Sequence, residues 1–222
     1  MGVHPRTDVS IPVDGVLLEG ELTIPDGAVG VVVFAHGSGS SRHSPRNRGV
    51  AEALNDDRLA TLLFDLLEPR EEELDRRTGE LRFDIALLGR RLVAALDWLA
   101  HEPATKDLRT GCFGASTGAA AALVAAASRP SQVAAVVSRG GRPDLAGEVL
   151  ASVSAPTLMI VGGNDGEVLE LNQQAQRQML AETVLEVVPG AGHLFSEQGA
   201  LERVELLART WFRRWLGAGK AR

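Results

Sequence analysis

Residues 111–120, Gly-Cys-Phe-Gly-Ala-Ser-Thr-Gly-Ala-Ala, constrain the fold of this 222-residue chain more than any other stretch. The apolar residues before it read as a buried strand, and the alanine-rich residues after it favour a helix. Ser116 therefore falls where a strand turns sharply into a helix. A turn this tight requires Gly114 and Gly118, because a β-carbon at either position would collide with neighbouring backbone.

The same turn suits a nucleophile. It exposes the Ser116 hydroxyl beside the first N–H groups of a helix, which point towards any negative charge that forms nearby. The Gly-x-Ser-x-Gly pattern alone is weak evidence in a chain with 24 glycines, so the interpretation depends on the strand before it and the helix after it. We predict that Ser116 is a nucleophile. The alternative is that it only caps the helix.

Strand-like and helix-like segments alternate along the rest of the chain. Residues 9–24 predict a hairpin of two half-exposed strands. Further strands are predicted at residues 29–35, 60–67, 107–113, 132–138, 155–161 and 183–188, and helices at residues 42–55, 83–100, 117–128, 167–181 and 201–216. The densely charged residues 68–82 are predicted to form a surface excursion near the mouth of a pocket.

This alternation predicts a single α/β domain over residues 1–222. The expected architecture is a mostly parallel, doubly wound sheet of about eight strands, with an N-terminal antiparallel hairpin and no large lid. Hydrophobic residues make up 45% of the chain, enough to bury a substantial core.

Charge and composition exclude several classes of function. The net charge of −6 argues against nucleic acid or an anionic membrane as the main partner. No apolar run approaches the roughly 20 residues of a membrane span, and the first residues lack the apolar core of a signal peptide. We therefore expect a cytoplasmic protein. The single cysteine, Cys112, predicts a small buried strand residue, and neither a metal nor a cofactor is expected.

A second corner rich in glycine and serine lies at residues 36–41, after the predicted strand 29–35. Open α/β sheets bind ligands at the carboxyl ends of their strands. Together with the first corner, this position predicts an oxyanion hole made by the backbone N–H groups of Ser38 and Thr117. The alternative is a merely flexible loop. Nucleotide binding is disfavoured, because the corner has neither a Gly-Lys-Ser/Thr ending nor Gly-x-Gly-x-x-Gly spacing.

A serine nucleophile needs a base, and the base needs a partner that fixes its tautomer. Asp165 directly follows one predicted strand and His193 follows the next. Parallel strands deliver both to the same edge as Ser116, so we predict a triad of these three residues. Asp165 could instead only shape a turn, and His193 could be a packed loop residue. Asp144 is a competing acid, separated from its strand by two glycines and a proline.

Four further residues are candidates for substrate binding. His36 begins the second corner, where we expect it to order the loop by hydrogen bonding rather than act as the base. Arg42, Arg46 and Arg139 lie near strand ends and could favour substrates with a second negative group. The alternative for Arg42 and Arg46 is that they are solvated charges on a helix face.

Four motifs in this order resemble the α/β-hydrolase superfamily, specifically its small, lidless dienelactone-hydrolase-like branch. They are His36-Gly37, residues 114–118, residues 162–165 and Gly192-His193. The resemblance covers nearly the whole chain and implies an enzyme that cleaves a small-molecule ester or lactone with the predicted triad. Dienelactone hydrolase proper has cysteine as its nucleophile, where this chain has Ser116. Residues 40–47 also resemble hydrolase domains that are joined to phosphoribosyltransferase-like domains.

Two rival functions remain at this point. A thioesterase or an acyltransferase would use the same acyl-enzyme, and a non-catalytic ligand-binding module would keep the fold without the chemistry. The sequence leaves a homodimer open.

Overall fold

The computed structural model describes residues 4–217 as one α/β domain. Its strands are β1 (Arg6–Val13), β2 (Val16–Thr23), β3 (Gly30–Ala35), β4 (Leu59–Phe64), β5 (Arg109–Ala115), β6 (Val133–Arg139), β7 (Thr157–Gly162) and β8 (Thr183–Val188). Its α-helices are α1 (Pro45–Asp56), α2 (Pro69–Thr78), α3 (Ile85–His101), α4 (Thr117–Ser128), α5 (Gly166–Gln178) and α6 (Ala200–Leu216).

The strands form one eight-stranded sheet in the order β1-β2-β4-β3-β5-β6-β7-β8. The hairpin β1–β2 is antiparallel and joins β4 antiparallel, whereas all the other pairs are parallel. The predicted fold class is confirmed, including the N-terminal hairpin. Strands β3, β4 and β7 are buried along their whole length, as expected for strands with helices on both faces.

Two apolar layers cover the sheet. Helices α1 and α6 cover one face through residues such as Leu54, Val204 and Phe212, which pack on Phe34 and Phe113. Helices α3, α4 and α5 cover the other face. The alanines of α4 let this helix lie close to the strands, and the position of Ser116 depends on that close approach.

The charged excursion of residues 68–82 contains helix α2, which the sequence analysis did not predict. Pro69 occupies the first turn, and Glu68 and Glu71 form a capping box in which the Glu71 side chain accepts the Glu68 N–H at 2.9 Å. The excursion remains on the surface and borders the cleft described below.

Parallel register brings five strand ends to one edge. Ala35 of β3 pairs with Gly114 of β5, and Ala115 pairs with Arg139 of β6. Gly162 of β7 likewise pairs with Val188 of β8. The loops that follow these strands therefore start at the same level. Among the helices within residues 4–217, none combines the length and apolarity needed to cross a membrane.

Candidate active site

Ser116 occupies a strained turn between β5 and α4. Its φ of 51° and ψ of −123° lie in a region that L-residues rarely adopt. The Ser116 N–H donates to the carbonyl oxygen of Arg139 at 3.2 Å, and the Ser116 carbonyl accepts from the Arg142 N–H at 3.0 Å. Such a conformation costs about 1–3 kcal/mol and persists only where surrounding structure enforces it. The predicted sharp turn is present.

Gly114 and Gly118 allow the surrounding backbone to approach closely enough to hold Ser116 in this conformation. A β-carbon on Gly114 would come within 2.6 Å of the Gly118 carbonyl oxygen, and one on Gly118 within 2.5 Å of the His36 carbonyl oxygen. The elbow is thus wedged between β5, the start of α4 and the loop after β3. Ser116 is held by packing as well as by its hydrogen bonds.

Asp165 and His193 are in direct contact. Nδ1 of His193 lies 2.7 Å from Oδ2 of Asp165, and the side chains are 40% and 15% exposed, respectively. A carboxylate on Nδ1 leaves Nε2 as the nitrogen that can accept a proton. The sequence predicted these two residues from their strand-end positions alone.

Backbone contacts between the two loops create this pairing. The Asn164 N–H donates to the Ala191 carbonyl oxygen at 2.9 Å, and the Asn164 side-chain amide donates to the Gly190 carbonyl oxygen at 2.8 Å. Gly162 allows the loops to cross, because a β-carbon there would lie 2.6 Å from the Gly192 carbonyl oxygen.

Gly140 lies between the turn that carries Ser116 and the loop that carries His193. A β-carbon at this position would lie 3.5 Å from Nδ1 of His193, and the preceding residue, Arg139, accepts the Ser116 N–H. No hydrogen bond joins the Ser116 hydroxyl to the imidazole within residues 4–217. Catalytic hydrogen bonds of this kind often form only when substrate is bound.

Asp144, the competing acid, faces a different partner. Its two carboxylate oxygens accept from Nε and Nη2 of Arg142 at 2.9 and 2.8 Å. This bidentate pair occupies Asp144, so Asp165 is the acid that contacts His193.

Ser38 and Thr117 lie side by side, as the oxyanion-hole prediction requires. Their hydroxyl oxygens are 3.0 Å apart. Thr117 is the first residue of α4, so its N–H has no acceptor within its own helix. Both residues border a narrow cleft with Leu66, Leu67 and Leu88 in its wall.

His36 orders the second corner but has no ring nitrogen left for substrate. Its Nε2 accepts the Leu66 N–H at 3.0 Å, and its Nδ1 donates to the Gly37 carbonyl oxygen at 3.0 Å. Burial lowers the pKa of this imidazole below its ordinary value, which keeps the ring neutral. The expected ordering role fits these bonds, whereas a direct polar contact between the ring and substrate does not.

The three candidate arginines differ in their partners. Arg42 is neutralised by Asp65, which accepts its backbone N–H at 2.7 Å and also pairs with its guanidinium. Its charge is therefore not available to a substrate, contrary to the sequence-based expectation. Arg46 and Arg139 pair with no carboxylate within residues 4–217, and Arg139 is only 8% exposed.

The cysteine at position 112 belongs to the core. It is fully buried in β5, and burial raises the pKa of its thiol to about 12. A thiol that stays protonated is a poor nucleophile. Among the described residues, no cluster of three or more His, Cys, Asp or Glu side chains is arranged to hold a metal ion.

Sequence reasoning missed Asn172 of α5. This fully buried amide donates to the Gly141 carbonyl oxygen at 2.9 Å and so fixes the loop after β6 to α5. No local motif marks it, because its partner is 31 residues away.

An elbow serine and a carboxylate-bound imidazole, both at the carboxyl edge of a mostly parallel sheet, are features of the α/β-hydrolase class. A family model described as "Dienelactone hydrolase family" matches residues 22–213, and the chain belongs to this family.

Individual relatives agree on the fold. The chain is 58% identical to a crystal structure of dienelactone hydrolase from Anabaena variabilis, with a TM-score of 0.94 over 96% of this chain and 99% of that one. Est1E from Butyrivibrio proteoclasticus is 16% identical, with a TM-score of 0.78 over 95% of this chain and 99% of its own, and shows the fold alone.

A Mycobacterium tuberculosis protein named "Putative phosphoribosyl transferase" is also similar. The identity is 58% over 205 residues, which is 92% of this chain but 45% of that protein. The chain thus spans about half the length of this relative.

Proposed function

We propose that the chain is a serine hydrolase that cleaves carboxylic esters or lactones through an acyl-enzyme on Ser116. The observation that carries the proposal is the 2.7 Å contact between Asp165 and His193. It lies at the same edge of the sheet as Ser116, which occupies a strained turn. A serine hydroxyl at neutral pH attacks a carbonyl only when a positioned base takes its proton.

Each residue has a separate role in the first half of the reaction. Nε2 of His193 takes the hydroxyl proton while Ser116 Oγ bonds to the carbonyl carbon. Asp165 holds the imidazole in the required tautomer and stabilises the imidazolium. The N–H groups of Ser38 and Thr117 donate to the oxyanion. The imidazolium then gives its proton to the leaving alkoxide, so an alcohol departs and the acyl group stays on Ser116.

The second half uses the same groups with water. His193 takes a proton from water as its oxygen attacks the acyl carbon, and the imidazolium returns the proton to Ser116 Oγ. The acid product then leaves. Leu66, Leu67 and Leu88 contribute apolar surface to the narrow cleft beside Ser38 and Thr117.

Hydrolysis of a short-chain nitrophenyl ester tests the proposal. Ser116→Ala and His193→Ala should each lower kcat by about a thousandfold or more. Ser131→Ala, at an exposed serine far from this edge, is the matched control and should keep wild-type turnover. Equal turnover in Ser116→Ala and Ser131→Ala would refute the assignment.

The choice of acceptor separates hydrolysis from acyl transfer. A hydrolase should release the free acid from the acyl-enzyme at the same rate when thiols or alcohols are added. A thioester or new ester as the main product would favour the transferase.

A further inference from the structure

Arg46, on α1, and Arg139, at the end of β6, are two cations with no carboxylate partner within residues 4–217. Arg139 ends β6 and is only 8% exposed, and its guanidinium carbon lies 5.9 Å from the centre of the Phe113 ring. Its Nη1 and the Nε of Arg46 are buried without a hydrogen-bond acceptor within residues 4–217. Five other partly or fully buried arginines each pair with a carboxylate, namely Arg42, Arg48, Arg82, Arg91 and Arg142.

The guanidinium group of Arg139 carries charge at neutral pH. Burial, with a smaller contribution from the positive charge of Arg46, lowers the pKa of Arg139 to about 10, which still leaves it protonated at pH 7. Burying an unpaired cation is costly. The face of the Phe113 ring offsets part of that cost, since it attracts a cation.

The Arg139 guanidinium lies over Phe113, on the sheet face covered by α1, the helix that carries Arg46. The carbonyl of Arg139 accepts the Ser116 N–H, and Gly140 adjoins the His193 ring. Phe113 belongs to the sheet face covered by α1 and α6. Leu66, Leu67 and Leu88 belong to the apolar layer on the other face. A substrate carbonyl at Ser116 would thus have Leu66, Leu67 and Leu88 towards one face of the sheet and the two arginines towards the other.

We propose that Arg46 and Arg139 form a subsite for the phosphate monoester group of a phosphorylated ester, whose carboxylic ester bond is cleaved at Ser116. The proposal rests on the proposed function for the site of cleavage. A phosphate monoester carries a charge of about −1.5 to −2 near pH 7 and so balances two guanidinium groups, whereas a carboxylate leaves one unbalanced. A planar guanidinium group can also donate two parallel N–H hydrogen bonds to two oxygens of one phosphate.

Binding is measured first, without catalysis. Inorganic phosphate is titrated calorimetrically into Ser116→Ala protein at pH 8 and low ionic strength. Adding Arg46→Gln or Arg139→Gln should each weaken binding by about tenfold or more. The matched control Arg90→Gln, at an exposed arginine on α3, should leave it unchanged. Acetate should bind more weakly than phosphate.

Three results of this titration would overturn the subsite. They are no phosphate binding at all, equal binding in all the arginine variants, and acetate binding as tight as that of phosphate. The Arg139→Gln variant is expected to remain folded, because it removes an unpaired buried charge. If it does not fold, the less buried Arg46→Gln decides the outcome.

Catalysis then tests the substrate. The wild-type enzyme should cleave 2-phosphoethyl acetate with a kcat/KM about tenfold or more above that of 2-hydroxyethyl acetate, and Arg46→Gln should abolish this preference. Equal rates for the two esters would overturn the phosphate assignment. If phosphate binds through the arginines and neither ester is cleaved, the proposed hydrolysis fails while the subsite stands.

Discussion

The corners that carry Ser116 and His193 are held at the same edge of the sheet by different means. Ser116 is fixed by steric packing, because Gly114 and Gly118 leave no room for the elbow to move. His193 lies in a loop after β8, is 40% exposed and is oriented by one carboxylate and by hydrogen bonds between loops. The position of Ser116 is thus fixed by the backbone around it, whereas the direction of the His193 ring depends on Asp165 and on the loop.

The largest expected effect removes the group that orients the base. Asp165→Asn should lower kcat by about a thousand- to ten-thousandfold, because an amide cannot stabilise the imidazolium and permits the wrong tautomer. Asp144→Asn is the matched control, since its partner is Arg142, and should stay within about threefold of wild type. Steady-state ester hydrolysis measures both, and a larger loss in Asp144→Asn would reverse the assignment of the acid.

An added methyl group should destabilise the turn at Ser116 more than the loop before His193. Gly118→Ala should lower the free energy of unfolding by about 3 kcal/mol, because the new methyl collides with backbone. Gly190→Ala in the loop before His193 should cost about 1 kcal/mol, since its φ is +74° but no atom lies within 4 Å. Urea denaturation compares the two. Equal losses would show that packing does not distinguish the corners.

Removing a hydrogen bond from the loop before His193 should lower kcat and leave the free energy of unfolding almost unchanged. Asn164→Ala removes the hydrogen bond to the Gly190 carbonyl oxygen. We expect the activation free energy to rise by about 1 kcal/mol as His193 is directed less well, which lowers kcat about fivefold. Gln173→Ala, an exposed position on α5, is the control. A kcat unchanged in both variants would mean that the loop does not need this bond to direct His193.

The smallest effect concerns His36, which stabilises the second corner as a neutral ring. Its folded pKa lies below its ordinary value of 6.5, so the unfolded chain takes up the proton first as the pH falls. Its contribution to stability should therefore be complete above pH 6.5 and decline below it. Urea unfolding between pH 5 and 8 should show a shallower decline for His36→Gln. An identical pH slope would contradict the role.

Much of the fold follows from the sequence because its strands are long apolar runs and its corners carry glycine. The triad candidates could be predicted because parallel strands share an edge. Helix α2 was not predicted, since its charged surface has no apolar stripe. The sequence signals for its start are Pro69 and the Glu68–Glu71 capping box. The neutralisation of Arg42 could not be predicted either, because Asp65 is 23 residues away and only the folded chain brings them together.

The most direct test of the central claim is the mass of the covalent intermediate. Protein mixed with a nitrophenyl ester and quenched in acid within milliseconds should gain one acyl mass, located by peptide mapping on Ser116. The gain should be absent in Ser116→Ala and present in the Ser131→Ala control. An adduct on another residue, or an equal adduct in Ser116→Ala, would contradict the account.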